Sequence, residues 1–407
     1  MTTNAGPGNL PAHVPQDLVW DHNVDEFPAR FEDPYVEACD AIHRGPDIVW
    51  ATKGAHGGRP GWLLTRFKDM EEVYHDAEHF SAAFSDSAAR FLGSDLRLIP
   101  KESDPPLHKF YRHILQPWFQ PSAINALEPI VREICDELIG KFEGQQGCEF
   151  VEEFSSLFPS YVFLELMGMP RGMLPQFLEW EHAFLRGSTW EEHAAGTSAI
   201  YEYLKGYCEE RRRRPGSDLG SKIVRAEIDG RKLTDNEAIG MCMTLYLGGL
   251  DTVTNSLGWC MRHIARDPAL QARLYADPSL IPAAADELLR AYGVTSTFRT
   301  VVQDIDFHGV PMRKGDIVGL PTFFSSRDSR VYADPHTVDI ARKARHLSFG
   351  SGVHNCLGVF LAKREIRVVL EAFLSRFSNI RIPETEKETW TTIMIWGIKR
   401  LPLEWDV

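Results

Sequence analysis

No stretch of this chain is apolar for long enough to cross a bilayer, and the first thirty residues, with Pro7, Pro11 and Pro15 among scattered charges, hold no secretory apolar core. Positive charge is in short supply. The 407 residues carry a net charge of −13, which counts against nucleic acid or an anionic membrane as a partner. Cysteine is present but unpaired by pattern: the seven, at positions 39, 135, 148, 208, 242, 260 and 356, are odd in number and include no C-x-x-C. That excludes a disulfide framework and a zinc ribbon and fits a reducing compartment. No segment repeats at a fixed period and none is of low complexity, which removes solenoids and disordered tracts. The expectation is a soluble, cytoplasmic, monomeric protein.

What is present is ordinary globular composition, 43% hydrophobic and 25% charged, enough to fill a large core. Short strand-like runs gather toward the two ends of the chain, and helices fill the middle. Ile48 to Thr52 and Gly61 to Thr65 flank a Gly57-Gly58 turn and read as a hairpin. A helix is expected over 67–76, then a polar loop from Ser81 to Pro106 carrying Phe84, Phe91, Leu96 and Leu98. Loops of that length are usually functional or mobile. Asp104-Pro105-Pro106 signals the next helix start, which puts His108, Lys109, Arg112 and His113 on one face. That face reads either as a solvated basic stripe or as a cradle for a buried anion.

Amphipathic segments follow at 125–142, 161–167, 174–186 and 194–213, the last running into Arg211 to Arg214 before Pro215-Gly216, where cations suit a helix end. Thr234-Asp-Asn-Glu237 is a capping box that opens an apolar run to Arg266, a helix of roughly 45–50 Å. Gly248 and Gly249 in its middle cost about 1 kcal/mol each relative to alanine, so something should require them. Two missing side chains open space beside the helix, and Asp251 and Thr252 border it. A further helix over 282–291 pairs Glu287 with Arg290 at i, i+3. Strands are expected at 298–302, 305–307, 310–312, 317–320, 390–396 and 401–405. No linker divides these parts, so residues 1–407 read as one mixed domain, mainly α with small β-sheets (α+β), β-rich near 48–65, 298–320 and 390–405.

The most informative stretch runs from His346 to Ile366. It places Cys356 in a glycine-rich loop, between Gly350 and Gly352 on one side and Gly358 on the other, just before an apolar-periodic helix. Glycines let backbone approach something flat, and a helix N-terminus favours a thiolate able to bind metal. A buried structural cysteine is the alternative for a lone Gly-x-Cys-x-Gly. Here, however, Phe349, Gly352, His354, Cys356 and Gly358 fill all five positions of Phe-x-x-Gly-x-His-x-Cys-x-Gly.

That loop, the Gly-Gly-x-Asp-Thr of the long helix, Glu287-x-x-Arg290, Arg342 and His108-x-x-x-Arg112 stand in an order that resembles the cytochrome P-450 monooxygenases, most closely the soluble bacterial camphor-hydroxylase type. The resemblance implies the P-450 fold, a single triangular-prism-like domain, holding haem b. It makes Cys356 the axial iron ligand, with Leu357, Gly358 and Val359 offering N–H groups to the sulfur and Phe349 shielding it. It assigns His108, Arg112, Arg299 and His354 to the propionates, and Glu287, Arg290 and Arg342 to a buried ion network. Gly248 and Gly249 would form a groove for oxygen, with Asp251 and Thr252 delivering protons.

No flavin or iron–sulfur motif is visible, so electrons must come from a partner, which the resemblance identifies as a two-iron ferredoxin with its reductase. Lys109, Arg112, His113 and Arg364 are candidates for its docking face. The implied substrate pocket comprises Phe84, Leu96 and Leu98, then Thr244 and Leu247, then Val294, Thr295 and Thr297, and finally Met394 and Ile395. Leu96 stands where the camphor type carries a tyrosine, which argues against camphor and for another terpenoid, a norisoprenoid or a related cyclic hydrocarbon. The competing readings are a haem-thiolate peroxygenase and a haem-based sensor or carrier, neither of which needs Asp251 and Thr252 together.

Overall fold

The computed structural model describes residues 10–83, 87–187, 189–343 and 345–406. Its axis is the helix Asp235–Arg266, 32 residues long. The capping box forms as the sequence requires: the Thr234 hydroxyl accepts from the Glu237 N–H at 3.2 Å, and Glu237 Oε2 accepts from the Thr234 N–H at 2.7 Å. Apolar burial is divided into two clusters, and this helix belongs to both. Ala238 to Leu250 pack into one, with side chains from the helices Leu174–Arg186 and Trp190–Arg213. Val253 to Ala265 pack into the other, with side chains from Pro121–Ile139, Ile281–Ala291 and Val359–Arg376. The changeover falls at Asp251 and Thr252. A space between two cores therefore opens beside the paired glycines.

Strands from both ends of the chain join in one six-stranded sheet, in the order Val19–Trp20, Ile48–His56, Arg59–Leu64, Ile317–Pro321, Ser296–Val301, Phe80–Ser81. The expected hairpin pairs antiparallel with Trp50 opposite Trp62, and Val318 then lies beside Trp62 in a parallel pair. Gly61 permits that approach, because a Cβ there would sit 2.6 Å from the Ile317 carbonyl oxygen. At the other end, Pro402–Asp406 runs between Gly147–Glu149 and Ser378–Arg381. The architecture is mainly α with small sheets.

Three local expectations change. The 81–106 segment is not wholly loop, since Ser87–Leu92 forms a short helix. Its Ser-Ala-Ala run has helix propensity, but at six residues it is too short for periodicity to reveal. Of 390–396, only Thr389–Thr391 is strand, paired with Gly397–Arg400. The residues between turn sharply, with Met394 in the left-handed region at φ 58°. The strand Gly147–Glu149 was not expected, because three residues give no alternation to read.

Candidate active site

The cysteine loop is shaped by two left-handed glycines, Gly350 and Gly352, each at φ 65°. Gly352 presses against Tyr74, whose carbonyl any side chain there would strike. The loop is pinned from within by the Cys356 N–H donating to Phe349 O at 2.8 Å, and Asn355 Nδ2 donates to Phe349 O and Gly350 O at 3.3 Å each. Gly358 caps the helix Val359–Arg376, and its N–H points at the Cys356 sulfur. The thiol itself departs from the low-pKa expectation: burial pushes it up, opposed by the Gly358 N–H and by Arg112. Of the three N–H groups assigned to the sulfur, only that of Gly358 registers on it.

Four basic side chains converge beside this loop. The rings of His108 and His354 lie 4.2 Å apart, and Nε2 of each is buried without a partner. Burial lowers His108 to about 4 and His354 to about 3, with Arg112 adding to both shifts. Burial also lowers Arg112 and Arg299. Arg299 is 6% exposed and donates to its own neighbour Phe298 O at 2.8 Å, and among the described residues no carboxylate pairs with it or with Arg112. Buried polar groups are rarely left so incomplete. Two orphaned imidazoles and two unpaired guanidiniums, next to a thiol, fit a flat anionic group carrying a sulfur-binding metal, as haem does.

Across the cavity, Gly248 and Gly249 have different reasons to be glycine. A Cβ on Gly248 would meet nothing within 4 Å, so that position faces open space. One on Gly249 would come within 3.0 Å of the Phe163 ring, so that position admits a neighbouring helix as well as lining the cavity. Thr252 lines the same space while its hydroxyl donates to Gly248 O at 2.9 Å. Asp251 is 5% exposed and points the other way, into a pair with Arg186, whose Nη2 donates to both carboxylate oxygens at 2.7 and 2.9 Å. Behind them Glu181 is buried with Oε1 unpartnered, and burial, then the Asp251 charge, hold its carboxyl far above the usual range.

Together these walls enclose about 930 Å³. Leu98, Thr244, Leu247, Val294, Thr295, Thr297, Met394 and Ile395 all line it, as do Gly248, Gly249, Arg299, Phe349, His354, Cys356, Leu357 and Gly358. Leu96 does not. It is 0% exposed within the second apolar cluster, packed 3.7 Å from where a Gly240 side chain would begin, so the sequence expectation for it is corrected. Leu98, two residues on, lines the cavity. Phe84 lies outside the described residues. The assigned docking cations also divide: Lys109 and His113 are exposed, whereas Arg364 is ion-paired with Glu128 and donates to Asn125 Oδ1 at 2.6 Å.

Glu287, Arg290 and Arg342 do come together. Arg290 grips Glu287 with Nη2 at 2.7 Å and Nε at 3.0 Å, and Arg342 Nε adds a bond at 3.1 Å. Sequence reasoning missed Arg186, Glu181 and Glu365. Glu365 is 2% exposed, lines the cavity, and is held far above the usual carboxyl range by burial. Nothing in Lys-Arg-Glu-Ile distinguished it from an ordinary solvated helix turn, and Arg186 showed only as a cation at an expected helix end.

Known proteins with this arrangement are consistent. A family model described as Cytochrome P450 matches residues 161–404. A probable cytochrome P450 127A1 from Sinorhizobium fredii is 33% identical over 402 residues, 97% of each chain. An erythromycin C-12 hydroxylase from Saccharopolyspora erythraea is 32% identical, covering 93% of this chain and 97% of that one. Among solved structures, CYP101J2 superposes with a TM-score of 0.86 at 32% identity, over 98% of this chain and 100% of its own, and CYP101C1 with 0.87 at 31% over the same shares. With sequence, fold and the sulfur-and-cation cradle in agreement, the chain belongs to the cytochrome P450 family, the monooxygenases that bind haem b through a cysteine thiolate.

Proposed function

We propose that this chain, working as one haem-thiolate domain in the cytoplasm, hydroxylates a small cyclic terpenoid or norisoprenoid with electrons from a two-iron ferredoxin. The observation that carries the reading is the orphaned cradle of His108, Arg112, Arg299 and His354 beside Cys356. Cys356 would hold the haem iron through its sulfur, and the four basic groups would hold the propionates through charge-assisted hydrogen bonds. When bound, haem b supplies the activation of dioxygen that lets one oxygen atom enter a C–H bond.

The chain's own residues do the rest. Thr252 presents a hydroxyl to the cavity and can hand on a proton from Oγ1 once its bond to Gly248 O is released. Asp251 can replenish that proton by taking one up from water, and for this one carboxylate oxygen must leave Arg186 Nη2. Leu98, Leu247, Val294 and Ile395 give the cavity its apolar wall, which suits a compact hydrocarbon body. The exposed Lys109 and His113, flanked by exposed Leu107 and Phe110, offer the ferredoxin a basic and apolar surface. Among the described residues no helix is long and apolar enough to cross a membrane.

A carbon monoxide difference spectrum of the reduced protein tests the assignment. The expected result is the family's red-shifted Soret band, lost in Cys356→Ser with the fold retained by circular dichroism. An unshifted band in folded, haem-loaded wild type overturns it. Turnover driven by peroxide alone, without ferredoxin, would favour a peroxygenase.

A further inference from the structure

One acidic side chain on the cavity wall has no part in the chemistry above. Asp25 precedes a short turn of helix, Phe27–Arg30, and lines the same space as Thr295 and Met394. It is 8% exposed. Its Oδ1 accepts from the Met394 N–H at 3.1 Å, and its backbone carbonyl accepts from the Thr392 hydroxyl. Oδ2 has no donor among the described residues. Glu26, His56, Arg59 and Lys101 also line the cavity; the Glu26 charge bears on Asp25, and those of His56 and Lys101 do not. An ionised oxygen largely removed from water and without a protein donor is costly unless water or a ligand supplies one.

We infer that Asp25 is a specificity-determining residue whose free carboxylate oxygen selects, among compact cyclic substrates, those bearing a hydroxyl over the matching ketone or hydrocarbon. The inference rests on the proposed function and refines its substrate class. The physical asymmetry is simple: a carboxylate only accepts, so it rewards an alcohol O–H and repels a ketone oxygen. Burial, reinforced by Glu26, raises the Asp25 carboxyl to about 6. Above that pH the site favours the alcohol; below it the protonated acid can donate to a ketone, and the preference shrinks. The purely structural alternative is that Asp25 only pins the left-handed turn at Met394.

Bornane, borneol and camphor form a matched hydrocarbon, alcohol and ketone series to separate these. Each is titrated against the haem-loaded protein at pH 5 and pH 8, following the high-spin shift and, independently, the ligand-induced rise in Tm. The expected result is borneol binding about tenfold more tightly than camphor at pH 8, with the gap narrowing at pH 5. Asp25→Asn, which keeps an acceptor for the Met394 N–H, should retain Tm and lose the pH dependence. Equal affinities for borneol and camphor at both pH values in wild type overturn the inference while leaving the proposed function intact. Should Asp25→Asn fail to fold, the wild-type pH series alone decides. A wild type in which none of the three produces a shift overturns the proposed substrate class, and the Asp25 inference with it.

Discussion

Two arginine–carboxylate systems with buried carboxylates, Glu287 with Arg290 and Arg342, and Asp251 with Arg186, are wired differently. At Glu287 every group is closed. Arg290 Nη1 donates to Ser326 O at 2.7 Å and Pro335 O at 2.9 Å, and Nη2 adds Thr337 O at 3.1 Å. Arg342 likewise reaches Ala333 O at 2.7 Å, and the Asp339 N–H completes Glu287 Oε1 at 3.0 Å. At Asp251 a single nitrogen of Arg186 serves both carboxylate oxygens. Arg186 is the last residue of its helix, its side chain is 21% exposed, and Glu181 waits behind it without a partner. The first system bolts the segment before the cysteine to the Glu-x-x-Arg helix. The second can open at small cost because water can reach the arginine. The pairing of arginine with carboxylate thus gives a brace in one place and a latch in the other, decided by how many further groups join in.

The largest effect should come from breaking the brace. Glu287→Gln leaves two guanidiniums buried without their anion and should cost about 3–5 kcal/mol, together with loss of haem retention. Urea unfolding measures it, and a change within about 1 kcal/mol would show the network to be no brace. Breaking the latch should instead touch chemistry. Asp251→Asn should slow substrate oxidation about a hundredfold, the range of a lost proton-transfer group, while the ligand-induced spin shift stays unchanged. Stability should fall less than for Glu287→Gln, because Arg186 can turn to solvent. If Asp251→Asn loses more stability than Glu287→Gln, the comparison is reversed.

The contrast also separates what the sequence made legible from what it hid. The brace and the cysteine loop could be read because each is short-range or carried by a dense motif: Glu287 and Arg290 are three apart on one helix, and the loop's five positions lie within ten residues. The long helix announced itself through a capping box and a sustained apolar period. The latch is long-range, with 65 residues between Arg186 and Asp251, and nothing local to a helix-end arginine says which carboxylate it will meet. Leu96 failed for a related reason. In an irregular segment with no period to fix which side faces in, it turned to the core and Leu98 took the wall. Asp25 was invisible because its partner, Met394, is 369 residues away.

The smallest expected effect tests whether the latch region carries the unsatisfied acid that distinguishes it from the brace. Glu181 is buried with Oε1 unpartnered, and its carboxyl is held far above the ordinary value of 4.5, first by burial and then by the Asp251 charge. A group whose folded pKa is raised binds its proton more tightly in the native state, so its contribution is complete below the unfolded pKa and is lost as pH rises toward the folded one. Wild-type stability should therefore decline as pH climbs above about 4.5 through this group, and Glu181→Gln, which cannot titrate, should remove that component. The two proteins should be equally stable near pH 4, and the variant should gain on the wild type as pH rises above the unfolded pKa. Urea midpoints at pH 4, 6 and 8 measure the divergence. Parallel pH profiles would mean that Glu181 finds a compensating partner in solution, making the latch as closed as the brace.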